Sequence, residues 1–167
     1  ILKSKKKIKM REKVKYRMYG LVPYNISPIQ QGIQFGHAVV EYSIGRYGSH
    51  DDYLQWAKED KTFIILDGGT TNDNEERLGS LNKSVRRLED ICIPYATFNE
   101  PDLGDQLTAV VFLVDDRVWD KEKYPEFNKF LEVDHTDLEK DYYKQLFGND
   151  STWILEMREF LSNYRLA

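Results

Sequence analysis

The sequence predicts an α/β domain of four strands and three helices that carries a helical C-terminal extension. Three observations predict it. Leu107–Val114 (LTAVVFLV) is an almost continuous apolar run, as expected for a central strand covered on both faces. Ser27-Pro28 is a helix start, with a preferred N-cap residue before a preferred first helical residue. Strand-like and helix-like segments alternate from residue 13 to residue 114 in the order strand, helix, helix, strand, helix, strand, strand.

Taken in order, Lys13–Tyr24 has the β-branched and aromatic content of a strand. The helix opened by Ser27 is expected over 28–46, with Ile29, Ile33, Gly36, Val40 and Ile44 on one face. Gln30, Gln34, His37 and Glu41 form a polar stripe beside it. A second helix is expected over 50–59 and a short buried strand over Lys61–Leu66. After the turn Asp67-Gly68-Gly69, a helix is expected over 74–91, and Cys92 behind it reads as a packed core residue. Tyr95–Asn99 is a strand and Glu100–Asp105 a loop before the central strand. Beyond Asp116, three amphipathic rows follow: Trp119 to Leu131; Leu138, Tyr142 and Leu146; and Trp153 to Tyr164. Three short helices with Gly148 in a connector are expected to bury these faces against the α/β body.

Composition narrows the function classes. One cysteine in 167 residues excludes an internal disulfide framework and suits a reducing cytoplasm. No apolar stretch approaches the ~20 residues of a membrane span, so a membrane role is not expected. The net charge of −4 conceals a division. Residues 1–17 hold nine Lys/Arg and one acid, whereas the remaining 150 residues hold 15 positive and 27 negative groups. Residues 1–13 read as a basic arm, which as a phosphate contact would add affinity for nucleic acid without reading its sequence.

Two segments concentrate polar side chains. Ser27–His37 (SPIQQGIQFGH) puts Ser27, Gln30, Gln34 and His37 at and beyond a helix start, where free amides form a generic anion site. Glu100–Ala109 (EPDLGDQLTA) puts Glu100, Asp102, Asp105, Gln106 and Thr108 in and just after a loop between strands. His37 is a candidate general acid or base, and Gln34 a candidate for orienting a substrate or water. Glu100 and Asp102 are candidates for positioning water or a ribose hydroxyl. The His50-Asp51-Asp52 and His135-Thr136-Asp137 clusters lack zinc-site spacing and read as helix caps, so no metal is expected. Asp67–Thr71 is a weak anion-nest candidate without the lysine of a P-loop. No G-x-G-x-x-G occurs and no cofactor is expected.

In these two segments, with the KTFIIL strand between them, residues 14–116 resemble the type-2 peptidyl-tRNA hydrolase superfamily, and more narrowly small phage and bacterial proteins of that fold. Gln34 and His37-Ala38 match its first-helix motif, and Asp102-Leu103-Gly104 matches the Asp-x-Gly core of its second. The resemblance implies a compact mixed four-stranded sheet flanked by helices, often dimeric, and cleavage of the ester between a peptide and the tRNA 3′ end. On this basis catalysis falls to Gln34, His37, Glu100 and Asp102, and ligand contacts to Ser27, Gln30, Asp105, Gln106 and Thr108. Two positions depart from the pattern: Gln30 replaces the family's lysine, and Gln106 stands where a threonine is expected. The expected partner is tRNA or another nucleotide-bearing ligand. The alternative is a non-enzymatic protein that keeps the fold and binds a nucleotide or a host protein.

Overall fold

The structure is a computed structural model that describes residues 14–45, 50–71, 77–147 and 152–167. It is an α/β protein with a four-stranded mixed sheet in the order β2-β1-β4-β3. Strand β1 (Tyr16–Val22) pairs in parallel with β2 (Phe63–Asp67) and antiparallel with β4 (Gln106–Asp115), which pairs antiparallel with β3 (Ala96–Glu100). The basic arm over 1–13 and the Gly148 connector lie outside the described residues.

Alternation along the strands builds two cores. Tyr19 and Leu21 of β1, with Val110, Phe112 and Val114 of β4, face one side. Met18 and Val22, with Ala109 and Val111, face the other. The second side is closed by α1 (Pro28–Ile44), which buries Gln34, Phe35, Ala38 and Tyr42. The apolar stripe from Ile29 to Ile44 faces solvent, and the helix packs through the opposite side. Its closeness to the sheet depends on Gly20, where a Cβ would come within 2.3 Å of two Phe35 ring atoms. Helix α2 (His50–Gln55) runs into a π-helical turn, Trp56–Asp60, that buries Trp56 and ends at Lys61 with φ 52°.

The first side is closed by α3 (Ser80–Ile91) and by the chain after β4. Helix α3 begins later than the residue 74 expected from sequence; residues 72–76 lie outside the described set. Cys92, expected as a packed core residue, is corrected by the structure. It is exposed, because it terminates α3 in the left-handed conformation (φ 63°) and its N–H turns back to the Glu89 and Leu88 carbonyls.

After β4 come α4 (Asp116–Trp119), α5 (Phe127–Phe130), α6 (Asp137–Phe147) and α7 (Thr152–Ser162). The row from Trp119 to Leu131 is therefore broken into two single turns. The row Leu138, Tyr142 and Leu146 is peripheral, since α6 buries Tyr143 and Phe147 instead and leaves Leu138 exposed. Ile154, Met157 and Phe160 of α7 join Phe112 and Leu88 in one core, so the extension packs on the α/β body. Arg158 of α7 donates to the carbonyls of Arg117 (2.6 Å), Val118 (3.0 Å) and Tyr124 (2.6 Å). The C-terminal residues cover part of the β2 edge: Asp67 N–H donates to Arg165 O, and Ala167 N–H to Ile65 O.

Candidate functional site

The register places the carboxyl ends of β1, β2 and β3 and the amino end of β4 at one end of the sheet, with Val22 beside Asp67 and Glu100 beside Gln106. In open α/β sheets, ligands commonly bind beyond this end. Helix α1 starts there, over β3 and β4.

A β-bulge completes the geometry. Phe98 pairs with Ala109 but Asn99 pairs with Leu107, so Thr108 is an extra residue on β4. Thr108 is fully buried and donates from Oγ1 to Gln34 Oε1 at 2.6 Å. Gln34 is also buried (1% exposed), and its Nε2 donates to Glu100 Oε2 at 2.7 Å and to Gln30 Oε1 at 3.3 Å. Its amide is thus engaged on both sides. Gln34 is a positioning residue that joins the strand hydroxyl to the Glu100 carboxylate, rather than a free group for water or substrate. The other carboxylate oxygen of Glu100 accepts the Asp102 N–H at 3.2 Å.

These bonds set the charge of the site. The Gln34 hydrogen bond first, then the Asp102 amide and the nearby His37, hold the Glu100 carboxyl below its ordinary pKa. Its stabilising contribution is therefore present above the ordinary glutamate range and is lost as pH falls through the lowered value. His37 is exposed on α1 and stacks on Phe98, with ring centroids 4.4 Å apart. Phe98 was not among the candidates, although it shares a strand face with Glu100 two residues on.

The remaining candidates are dispersed. Ser27 Oγ accepts the Gln30 N–H and Ser27 O the Gln31 N–H, while Pro28 has no N–H. The expected anion site at this helix start is thus mostly self-satisfied. Asp102 and Asp105 are exposed in the turn, contributing backbone groups: the Asp105 N–H donates to Glu100 O and its carbonyl accepts Asn99 Nδ2. Gln106 is half-buried opposite Glu100.

The Asp67 turn is occupied in the same way. Gly68 N–H donates to Val22 O and Gly69 N–H to Asp67 Oδ1, so they form no open anion nest. An open cleft of ≈ 490 Å³ lies there, lined by residues including Tyr24, Ser80 and Arg165, on the far side of the sheet end from Gln34. Thr136 and Glu139 form a reciprocal cap on α6, as expected of that cluster. Among the described residues, no group of three His, Cys, Asp or Glu could hold a metal ion. No described helix is long and apolar enough to cross a membrane.

No family model and no curated protein matches the chain. What the site can do therefore rests on its chemistry. An anionic carboxylate with lone pairs toward solvent, beside an exposed imidazole and an aromatic ring, accepts hydrogen bonds from hydroxyl, amide or ammonium groups. Among the described residues, the groups that bond or charge Glu100 include no lysine or arginine that could receive a phosphate or a developing oxyanion.

Proposed function

We propose that this chain is a peptidyl-tRNA-hydrolase-like protein that recognises the ester-bearing 3′ end of tRNA, or a free nucleotide of like chemistry, in a cytoplasmic setting. One observation supports this above others. The bonds Thr108–Gln34 and Gln34–Glu100 join the two resembling segments across 74 and 66 residues of sequence. In this reading Glu100 accepts a ribose hydroxyl, and Phe98 and His37 present flat faces to the base or the ester. If the ester is cleaved, water adds to the carbonyl carbon and gives a proton to His37, and His37 returns a proton to the ribose oxygen as the ester C–O bond breaks.

A neutral glutamine at position 30 favours a second reading, in which the pocket binds and does not hydrolyse. Gln30 occupies the place of the family's lysine, and its Oε1 faces Gln34. A neutral amide there cannot stabilise an oxyanion as an ammonium would.

Incubating the protein with N-acetyl-aminoacyl-tRNA tests both. The enzymatic reading predicts release of the acyl amino acid above the buffer control, abolished by Glu100→Gln and reduced by His37→Ala. Binding that discriminates acylated from deacylated tRNA without release supports the second reading. The recognition proposal itself fails if the protein neither binds nor cleaves either tRNA and binds no mononucleotide.

A further inference from the structure

Glu100 stands at the rim of the site as a carboxylate with acceptor capacity to spare. Its Oε2 accepts Gln34 Nε2 at 2.7 Å and its Oε1 accepts the Asp102 N–H at 3.2 Å. Each carboxylate oxygen has two lone pairs, so each keeps one for a ligand. The orientation of the Gln34 amide is set from behind, because its Oε1 takes the hydroxyl of the buried Thr108 and only its NH2 end is left for Glu100. A buried donor thus favours the charged form of an acid that faces outward.

The surroundings do little to cancel that charge. The groups that act on Glu100 are the Gln34 amide, the Asp102 N–H and the His37 imidazole. Gln30, one turn before Gln34 on α1, is neutral and turns its Oε1 to the Gln34 amide. Beside the carboxylate, the half-buried Phe98 ring and the exposed His37 ring stack with centroids 4.4 Å apart. A rim made of a carboxylate and flat rings suits a cation: the carboxylate attracts an ammonium directly, and an aromatic face attracts it through its quadrupole.

Ester-bearing ends of tRNA divide on this property. With a free α-amino group, whose pKa is ordinarily ~8, an aminoacyl ester carries an ammonium next to its carbonyl at neutral pH. An N-acylated ester carries there a neutral amide with one N–H, and its added carbonyl oxygen meets the carboxylate as acceptor against acceptor. Given the reading of this site as one for the ester-bearing 3′ end, on which the step rests, we propose that it selects aminoacyl esters with a free α-ammonium over N-acylated ones, with Glu100 as the specificity-determining residue. One oxygen of Glu100 takes the ribose hydroxyl and the other takes the ammonium. The peptidyl ester implied by the resemblance belongs to the N-acylated class, so the preference runs opposite to it.

Affinities of the full chain at neutral pH for deacylated tRNA and three forms of phenylalanyl-tRNA (free amine, N-acetyl and N,N-dimethyl) test the selection. The ester oxygen of each form is replaced by N–H so that nothing is cleaved. Contacts to tRNA phosphates are common to all and cancel in the ratios. The free-amine form should bind about fivefold more tightly than the N-acetyl form, the scale of one solvent-accessible ion pair. The dimethyl form keeps the charge with one N–H, as many as the acetyl form has, and should follow the free amine. Glu100→Gln should bring the ratio to within about twofold of unity, whereas Asp90→Asn, which removes an acid on α3 across the sheet, should leave it unchanged. An N-acetyl form bound as tightly as the free amine, a dimethyl form that follows the acetyl one, a ratio that persists in Glu100→Gln, or an equal fall in Asp90→Asn would each overturn the proposal. If the three aminoacylated forms bind alike and more tightly than deacylated tRNA, the selection is refuted and the ester-end reading stands. If deacylated tRNA binds as tightly as any of them, both fall.

Discussion

Gln34→Ala is expected to destabilise the fold by about 2–3 kcal/mol, a large loss for a polar side chain. Gln34 is 1% exposed and fills its space between α1 and the bulge in β4. Truncation leaves a cavity and removes three hydrogen bonds, those with Thr108, Glu100 and Gln30. Thr108 retains a weaker bond to Phe98 O at 3.3 Å, which limits the loss on that side. Denaturant unfolding of Gln34→Ala, Thr108→Val and the double variant measures the coupling, expected to reach about 1 kcal/mol. Strict additivity would show that the two side chains do not act as a unit. The difference between wild type and Gln34→Ala should also narrow as acid protonates Glu100, because the bond from Gln34 favours the ionised carboxylate.

Arg158→Ala is expected to cost about 3 kcal/mol and to loosen the C-terminal helices. One guanidinium ties α7 to three carbonyls in the 117–124 segment and lies over the Phe147 ring at 5.0 Å. Removing it leaves those oxygens without these partners inside a packed layer. Arg158→Lys should recover only a fraction, since an ammonium on a flexible stem cannot reproduce the planar fork. Hydrogen exchange should show the loss concentrated in residues 116–162. A melting temperature equal to wild type would mean that apolar packing by Ile154, Met157 and Phe160 alone holds the extension in place.

The order of strands and helices was legible because it rests on local signals. Ser27-Pro28 starts α1 as expected, and the run at 107–114 is the interior strand β4. The orientation of α1 was not legible from hydrophobicity, because its apolar row is turned outward and its inner face carries a glutamine. Only the tertiary partners Thr108 and Glu100 make burial of Gln34 favourable. The site was half legible for a related reason. Its two segments could be singled out, but their junction depends on a bulge that adds one residue to a ladder and leaves no mark in composition. Cys92 misled because apolar character suggested burial, while its backbone serves to end a helix.

That Gln34 holds Glu100 anionic at the end of the sheet is the claim on which the candidate site depends. Titration of the Glu100 side-chain carboxyl by NMR, in wild type and in Gln34→Leu, tests it most directly. A wild-type pKa below the ordinary glutamate range is expected, with a return toward that range in the variant. An ordinary value in wild type, or the same lowered value in both proteins, would contradict it.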